Sequence, residues 1–301
     1  MLDLPIRYVD RSRAYYLTLG YDNPYRWAHN EDVPFVALSK PLRESRVAIL
    51  TTAARYDPNH GDQGPGAPYN ADAKFSETYA EAISPAPDVR ISHVGYDRKH
   101  TTAEDMGTYF PLAPLQSAAA AGRVGEVNGR FFGVPTLRSQ RLTNERDAPR
   151  ALELLREDSV DAAILVPNCP VCHQTMSLTA RHLEAAGVPT VVMGCARDIV
   201  ESAGVPRFLF SDFPLGNSAG KPNDRESQRD TLARALDLLE SATAPRTTVQ
   251  SPQRWATDAS WKRDFYRLDL TPEQIAHSRA EFDAQKSILA AKLDASPGAR
   301  V

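Results

Sequence analysis

Residues 160–195, VDAAILVPNCPVCHQTMSLTARHLEAAGVPTVVMGC, decide the fold. VDAAILVP is a short, nearly continuous apolar run, the pattern of a strand covered on both faces. From about His173 to Ala186, Met176, Ala180 and Leu183 recur on one helical face, and Gly187 ends the helix before PTVVMG returns to strand. Strand, helix and strand in that order belong to a mostly parallel sheet. RFLFS then predicts another strand, and after DFPLGNSAGKPND a helix from about Arg225 to Ser241 turns Leu232, Leu236 and Leu239 inward.

Working backward, APRALELLRED spaces Ala148, Ala151, Leu152 and Leu155 as one helix face. FFGV reads as a weak strand and PLAPLQSAAAAGRVG as a helix, with Pro111 and Pro114 near its start and Gly122 near its end. VRISHVGY and RVAILTTAA read as strands, separated by a Gly/Pro/Asn-rich stretch, YDPNHGDQGPGAPYNADAKF, that reads as a long functional loop. The expected fold is doubly wound α/β, a mostly parallel sheet with helices on both faces, plus a C-terminal helical extension. Residues 1–44 read as an N-terminal arm with a short helix around Ser12 to Leu19. Residues 45–242 read as the α/β region, divisible into two similar halves, 45–144 and 145–242. Residues 243–301 read as a polar linker and a helix capped by Thr271, with Pro272 at its first position and Ile275, Phe282 and Ile288 as apolar anchors. Such a tail docks on its own domain or on a twin subunit, so a homo-oligomer is expected.

The 301 residues carry 35 basic and 38 acidic side chains, a net charge of -3, with no long run of one sign. That balance predicts neither a nucleic-acid nor an anionic-membrane partner and leaves a small-molecule substrate or a protein partner. No stretch approaches the roughly 18 apolar residues of a membrane span, and MLDLPIRYVDRSR has no apolar signal-peptide core. The expectation is a cytoplasmic protein, and three cysteines do not resemble a secreted disulfide framework.

Cys169 follows directly on a strand, at the carboxyl edge where open α/β sheets bind ligands. Cys172 falls in the first turn of the next helix, where unpaired amides and the helix dipole favour a thiolate. Thiols in Cys-X-X-Cys settings ionise more readily than a free cysteine, so one can attack and the other resolve. His173, beside Cys172, is a candidate to orient or deprotonate it. Thr51 and Thr52 end the first strand, and His93, Asp97 and His100 follow the second, so all five are candidate substrate-binding groups in the same cleft. Cys195 ends the strand TVVMGC and is a candidate on the same edge, or a packed core thiol.

Other readings of the pair stay open. A zinc site needs two further ligands, and no second Cys-X-X-Cys or His-rich knuckle occurs in the sequence, so no metal is expected. CPVCH matches the letters of covalent haem attachment, but the strand-helix context argues against it. Gly216 to Lys221 lacks the spacing of a phosphate-cradling loop. A non-redox enzyme of the racemase, lyase or hydrolase type is an alternative, in which Cys169 would pair with Cys195. So is a dithiol redox subunit without catalysis.

Together, RVAILTTAA, SHVGYD, AEDMGTYFPLAPL, GRVGEV, the block from Asp161 to Val192 and FPLGNSAGKP resemble the selenoprotein B family of glycine, sarcosine, betaine and D-proline reductases. The resemblance runs from roughly Ile6 to Leu239 and is most specific around the cysteines and the Pro-Leu-Gly loop. It implies an oxidoreductase in which Cys169 stands at the selenocysteine position, attacking the substrate's α-carbon and expelling an amine, and Cys172 resolves the adduct. It also implies a thioredoxin-like or dithiol electron donor and a partner subunit carrying a pyruvoyl group. This chain itself encodes no such processing site, so no cofactor of its own is expected. It departs from the family in having cysteine at both positions and LRSQR at residues 137–141.

Overall fold

The computed structural model describes residues 4–295 apart from positions 23, 24, 68, 264, 266 and 267. The chain runs through α1 (Tyr8–Thr18), β1 (Arg46–Thr51), β2 (Ala54–Arg55), β3 (Tyr79–Ala82), β4 (Val89–Arg90), α2 (Leu112–Ala120), β5 (Glu126–Val127) and β6 (Arg130–Gly133). α3 (Gln140–Leu142) passes through a π-turn, Thr143–Asp147, into α4 (Ala148–Glu157). Then follow β7 (Ala162–Val166), α5 (Pro170–Ala185), β8 (Thr190–Gly194), α6 (Arg197–Ala203), β9 (Arg207–Phe210), α7 (Arg225–Ser241), β10 (Thr247–Gln250) and α8 (Pro272–Ala295).

One sheet has the order β10-β9-β8-β7-β1-β6-β3, with β5 also pairing β1. All its pairings are parallel except the edge, where β3 runs antiparallel to β6. Successive side chains on the central strands point to opposite faces, and both faces are covered. Val47, Ile49, Ile164, Val166, Val191 and Met193 pack with Leu112, Leu115, Leu232 and Leu236 of α2 and α7. Ala48, Leu50, Ala163, Leu165 and Val192 pack with Leu152, Leu155, Met176 and Leu183 of α4 and α5. The α/β architecture with its C-terminal helix therefore stands as read from the sequence.

Two readings change. VRISHVGY is a strand only at Val89 and Arg90, which pair antiparallel with β2, because residues 91–97 leave the ladder as a loop laid over the start of α5. At Gly95 a Cβ would come within 2.6 Å of Pro170, so this close approach excludes a side chain. The expected linker contains β10, whose Thr247, Thr248 and Val249 extend the sheet beside β9. The N-terminal arm is seated on the α/β region. A buried Arg207–Glu184 ion pair at 2.8 Å anchors it, with Glu184 accepting from the Val36 amide at 2.7 Å and Arg207 donating to the Val36 carbonyl at 2.8 Å.

Among the described residues, no helix is long and apolar enough to cross a membrane.

Leu165 is fully buried between β1 and β8 and faces the α4/α5 layer. Leu165→Ala should lower unfolding free energy by about 2–5 kcal/mol, through lost transfer energy and the cavity left behind. The urea midpoint would report it, and an unchanged midpoint would place this side chain outside the cooperative core.

Candidate functional site

The sheet changes winding direction between β1 and β7. The chain leaves β1 toward β6 on one side and leaves β7 toward β8 on the other, which opens a crevice at the carboxyl ends of these two strands. Thr51, Thr52 and Ala53 leave β1 there, and Pro167, Asn168 and Cys169 leave β7. The Asn168 amide donates to the Thr52 hydroxyl at 3.0 Å and closes the floor.

Cys169 is the N-cap of α5, and its Sγ accepts from the Cys172 amide at 3.2 Å. Pro170 occupies the first helical position, where its missing N–H leaves no bond unmade. All three cysteines are free, and a ligand atom of His93 lies with both Cys169 and Cys172 sulfurs in a cluster whose members are within 4.8 Å of one another. Burial opposes ionisation of Cys172, but its hydrogen bond with Cys169, the electrostatic effect of His93 and hydrogen bonds with His93 and Thr52 bring its pKa well below the ordinary thiol value. Burial, and then the neighbouring Cys172, push Cys169 well above it. Of the two thiols, Cys172 is therefore the more readily ionised and Cys169 the less.

Their access differs. Cys169 lines two adjacent cavities, and Cys172 lines neither. The first cavity is walled by Arg13, Tyr16, Tyr25, Trp27, Gly95 and Arg138, the second by Tyr69, Lys74, His93, Thr136, Phe282 and Lys286. Four of these residues are lysine or arginine, and neither wall contains a carboxylate. The Lys74 ammonium donates to the Thr136 carbonyl at 2.8 Å, and burial lowers its pKa while both thiols raise it. Arg138 donates to the Tyr16 hydroxyl at 2.7 Å and lies over the Phe282 ring of α8 at 4.7 Å.

Of the residues expected in the cleft, Thr52 and His93 join the thiols. Thr51 is buried beside them, but its hydroxyl accepts from the Ala53 amide at 3.1 Å and shapes the turn. Asp97 and His100 pair with each other at 2.9 Å, with the imidazole edge-on to Trp261, and line neither cavity. Cys195 sits in an apolar cluster with Tyr8, Phe213 and Trp261, 3.8 Å from the Ser218 hydroxyl, where burial pushes its thiol up to about 12. It also lines neither cavity.

His173 has both ring nitrogens engaged by backbone. Nδ1–H donates to the Cys169 carbonyl at 2.7 Å, and Nε2 accepts from the Cys195 amide at 2.8 Å. The ring needs the space left by Gly194, where a Cβ would lie 2.7 Å from it. Burial holds its pKa down at about 4, so it is a neutral strut tying the α5 turn to the end of β8. With both nitrogens held by backbone, the ring positions the turn that bears the two cysteines. The Pro-Leu-Gly loop is also a buttress, for Ser218 donates to the Pro167 carbonyl at 2.7 Å.

Sequence reasoning did not single out Lys74, Arg138, Asn168 or the cavity wall supplied by α8. Lys74 lies in the loop flagged as functional, and Arg138 in the LRSQR segment flagged as a departure, so each had a regional signal but no spacing that pointed to the cysteines.

The site thus defines a class: an open α/β protein with a dithiol at its topological switch point. Its relatives are named as reductase subunits. The chain is 27% identical over 205 residues to the D-proline reductase subunit gamma of Acetoanaerobium sticklandii, covering 67% of this chain and 81% of the relative. It is 23% identical over 234 residues to the glycine reductase complex component B subunit gamma of Symbiobacterium thermophilum, and 23% over 235 residues to the sarcosine reductase complex component B subunit beta of Peptoclostridium acidaminophilum. These matches cover 75% and 76% of this chain but 52% and 53% of the relatives, about half their length. The resemblance read from the sequence is borne out: the curated relatives are subunits of amino-acid reductases. No family model and no solved structure matches the chain.

His173 supplies a pH test. Its folded pKa of about 4 lies below the unfolded value near 6.5, so the unfolded chain binds more protons between these values. Its contribution is complete above pH 6.5 and is lost as pH falls toward 4, by up to about 3 kcal/mol. Urea melts across that window should show a smaller acid loss for His173→Gln than for the parent chain. Parallel slopes would mean that the imidazole is not held neutral.

Proposed function

We propose that this chain is a cysteine-dependent reductase subunit that cleaves a carbon–nitrogen, or other carbon–heteroatom, bond of a small amino-acid-like substrate. The observation that carries the reading is the unequal access of the two thiols, with Cys169 on the floor of both cavities and Cys172 directly behind it. The Cys169 thiolate attacks the carbon, a C–S bond forms, and the C–N bond breaks with its electron pair leaving on the amine, which takes a proton. The Cys172 thiolate then attacks the Cys169 sulfur. The C–S electron pair returns to carbon and is protonated, and a Cys169–Cys172 disulfide remains. The substrate gains two electrons and the dithiol loses two. A thioredoxin-like or other dithiol donor resets the pair.

Attack requires Cys169 to lose its proton, and the Lys74 ammonium beside the thiols favours that loss when substrate excludes water. Four cationic side chains without a lining carboxylate suit a substrate bearing a carboxylate, which they would hold while the α-carbon meets Cys169. The names of the relatives describe subunits of multi-component reductases, which supports a partner subunit; a pyruvoyl group on that partner would activate the amine. The racemase alternative pairs Cys169 with Cys195, and the burial of Cys195 among Tyr8, Phe213 and Trp261 weighs against it.

Cys169→Ser should reduce amine release by on the order of 10³-fold or more and form no adduct. Cys172→Ser should still attack and accumulate a covalent species on Cys169, seen by intact mass after incubation with substrate or a substrate-like electrophile. An adduct on Cys172 in the Cys169→Ser chain would reverse the two parts. Full turnover in the double variant would remove the dithiol from the mechanism.

A further inference from the structure

We propose that the reduced dithiol also takes up one soft divalent cation, of the zinc class, on His93, Cys169 and Cys172, with its fourth position open to the cavity. Metal and the Cys169–Cys172 disulfide are then mutually exclusive states of one site. The sequence offered no second ligand pair near the cysteines, and the fold supplies the third donor from the loop after β4. Two sulfurs and an imidazole nitrogen select zinc over magnesium or calcium, which take oxygen.

A tetrahedral ion with bonds of about 2.3 Å to sulfur and about 2.0 Å to nitrogen separates its donors by roughly 3.5–3.8 Å. The donors here lie within 4.8 Å of one another, so closing on an ion needs a contraction of at most about 1.3 Å. All three residues are buried, and among the described residues Nδ1 of His93 has no hydrogen-bond partner although water does not reach it. The ring is therefore not locked in a two-sided bonding pattern of the kind that holds His173. Its loop is nonetheless fixed, because Arg98 donates to the His93 carbonyl at 2.7 Å and Gly95 rests on Pro170.

Binding displaces whatever proton the thiols still carry, and the two thiolates neutralise the ion. Lys74 and Arg138 then favour an anionic fourth ligand, such as chloride, hydroxide or a carboxylate. A two-electron oxidant, for example diamide, takes two electrons and two protons from the dithiol, forms the disulfide and leaves no thiolate to hold the metal. A bound ion would shield Cys169 from attack or oxidation, so the site would exchange metal for reductive chemistry.

The proposal is independent of the reductase reading, and its test uses no substrate. The reduced full-length chain, freed of metal, is titrated with cobalt(II) and then zinc(II), while thiolate-to-cobalt absorption and reactive thiols are followed. The expected result is one equivalent of cobalt, a thiolate charge-transfer band bleached by zinc, two thiols masked, and loss of metal on adding diamide. His93→Ala and Cys172→Ser should each weaken binding by on the order of 100-fold, and Cys195→Ser should leave it unchanged. Circular dichroism checks the fold of each variant, and the diamide-oxidised parent chain serves as a thiolate-free control that alters no residue. No charge-transfer band, parental affinity in folded His93→Ala, or retained cobalt after oxidation would each overturn the proposal. A chain that binds cobalt but releases no amine would instead count against the reductase reading alone.

Discussion

The reversal of winding between β1 and β7 is the constraint on which the site depends. Two adjacent parallel strands whose crossovers leave in opposite directions cannot have their carboxyl ends covered by either crossover. The gap is small and is closed by the Asn168–Thr52 hydrogen bond rather than by apolar packing. The dithiol is suspended over that bond, with Cys172 beside Thr52 and Cys169 one residue beyond Asn168.

Around this floor, the backbone is held more tightly than the chemistry. His173 ties the first turn of α5 to the end of β8, Ser218 pins the end of β7, and Gly95 lets the His93 loop rest on Pro170. These contacts leave the two sulfurs little freedom to separate. In a site so poorly screened by water, small differences in hydrogen bonding decide which sulfur carries the charge. Cys172 receives those bonds, and Cys169 receives the cavity. The more acidic thiol and the more accessible thiol are thus different residues, a division suited to one that attacks and one that waits.

The outer parts of the chain serve the same region. The N-terminal arm is clamped by Glu184 and Arg207, a pair whose burial opposes the charge of both partners, raising the pKa of Glu184 and lowering that of Arg207. Such a pair contributes position more than stability. The arm presents Tyr25 and Trp27 to one cavity, while α8 presents Phe282 and Lys286 to the other. The C-terminal helix packs on its own chain, with Phe282 against Tyr16 and Tyr21.

The sequence by itself determined the parallel α/β core, the strand-to-helix turn bearing both cysteines, and the kinship with amino-acid reductase subunits. These follow from local periodicity and from a compact run of residues, in which neighbours in the chain are neighbours in space. Tertiary structure alone decided that His93 joins the thiols while His173 is occupied by backbone, that Cys195 faces Tyr8 rather than the cavity, and that Lys74 and Arg138 line the walls. Each of these depends on the path of a loop between distant elements. His93 and Asp97 show the limit, for they leave the same short loop to opposite surroundings. The packing of Gly95 against Pro170 and the bond from the Asp97 amide to the Leu215 carbonyl settle their directions, and no period in the sequence records either contact.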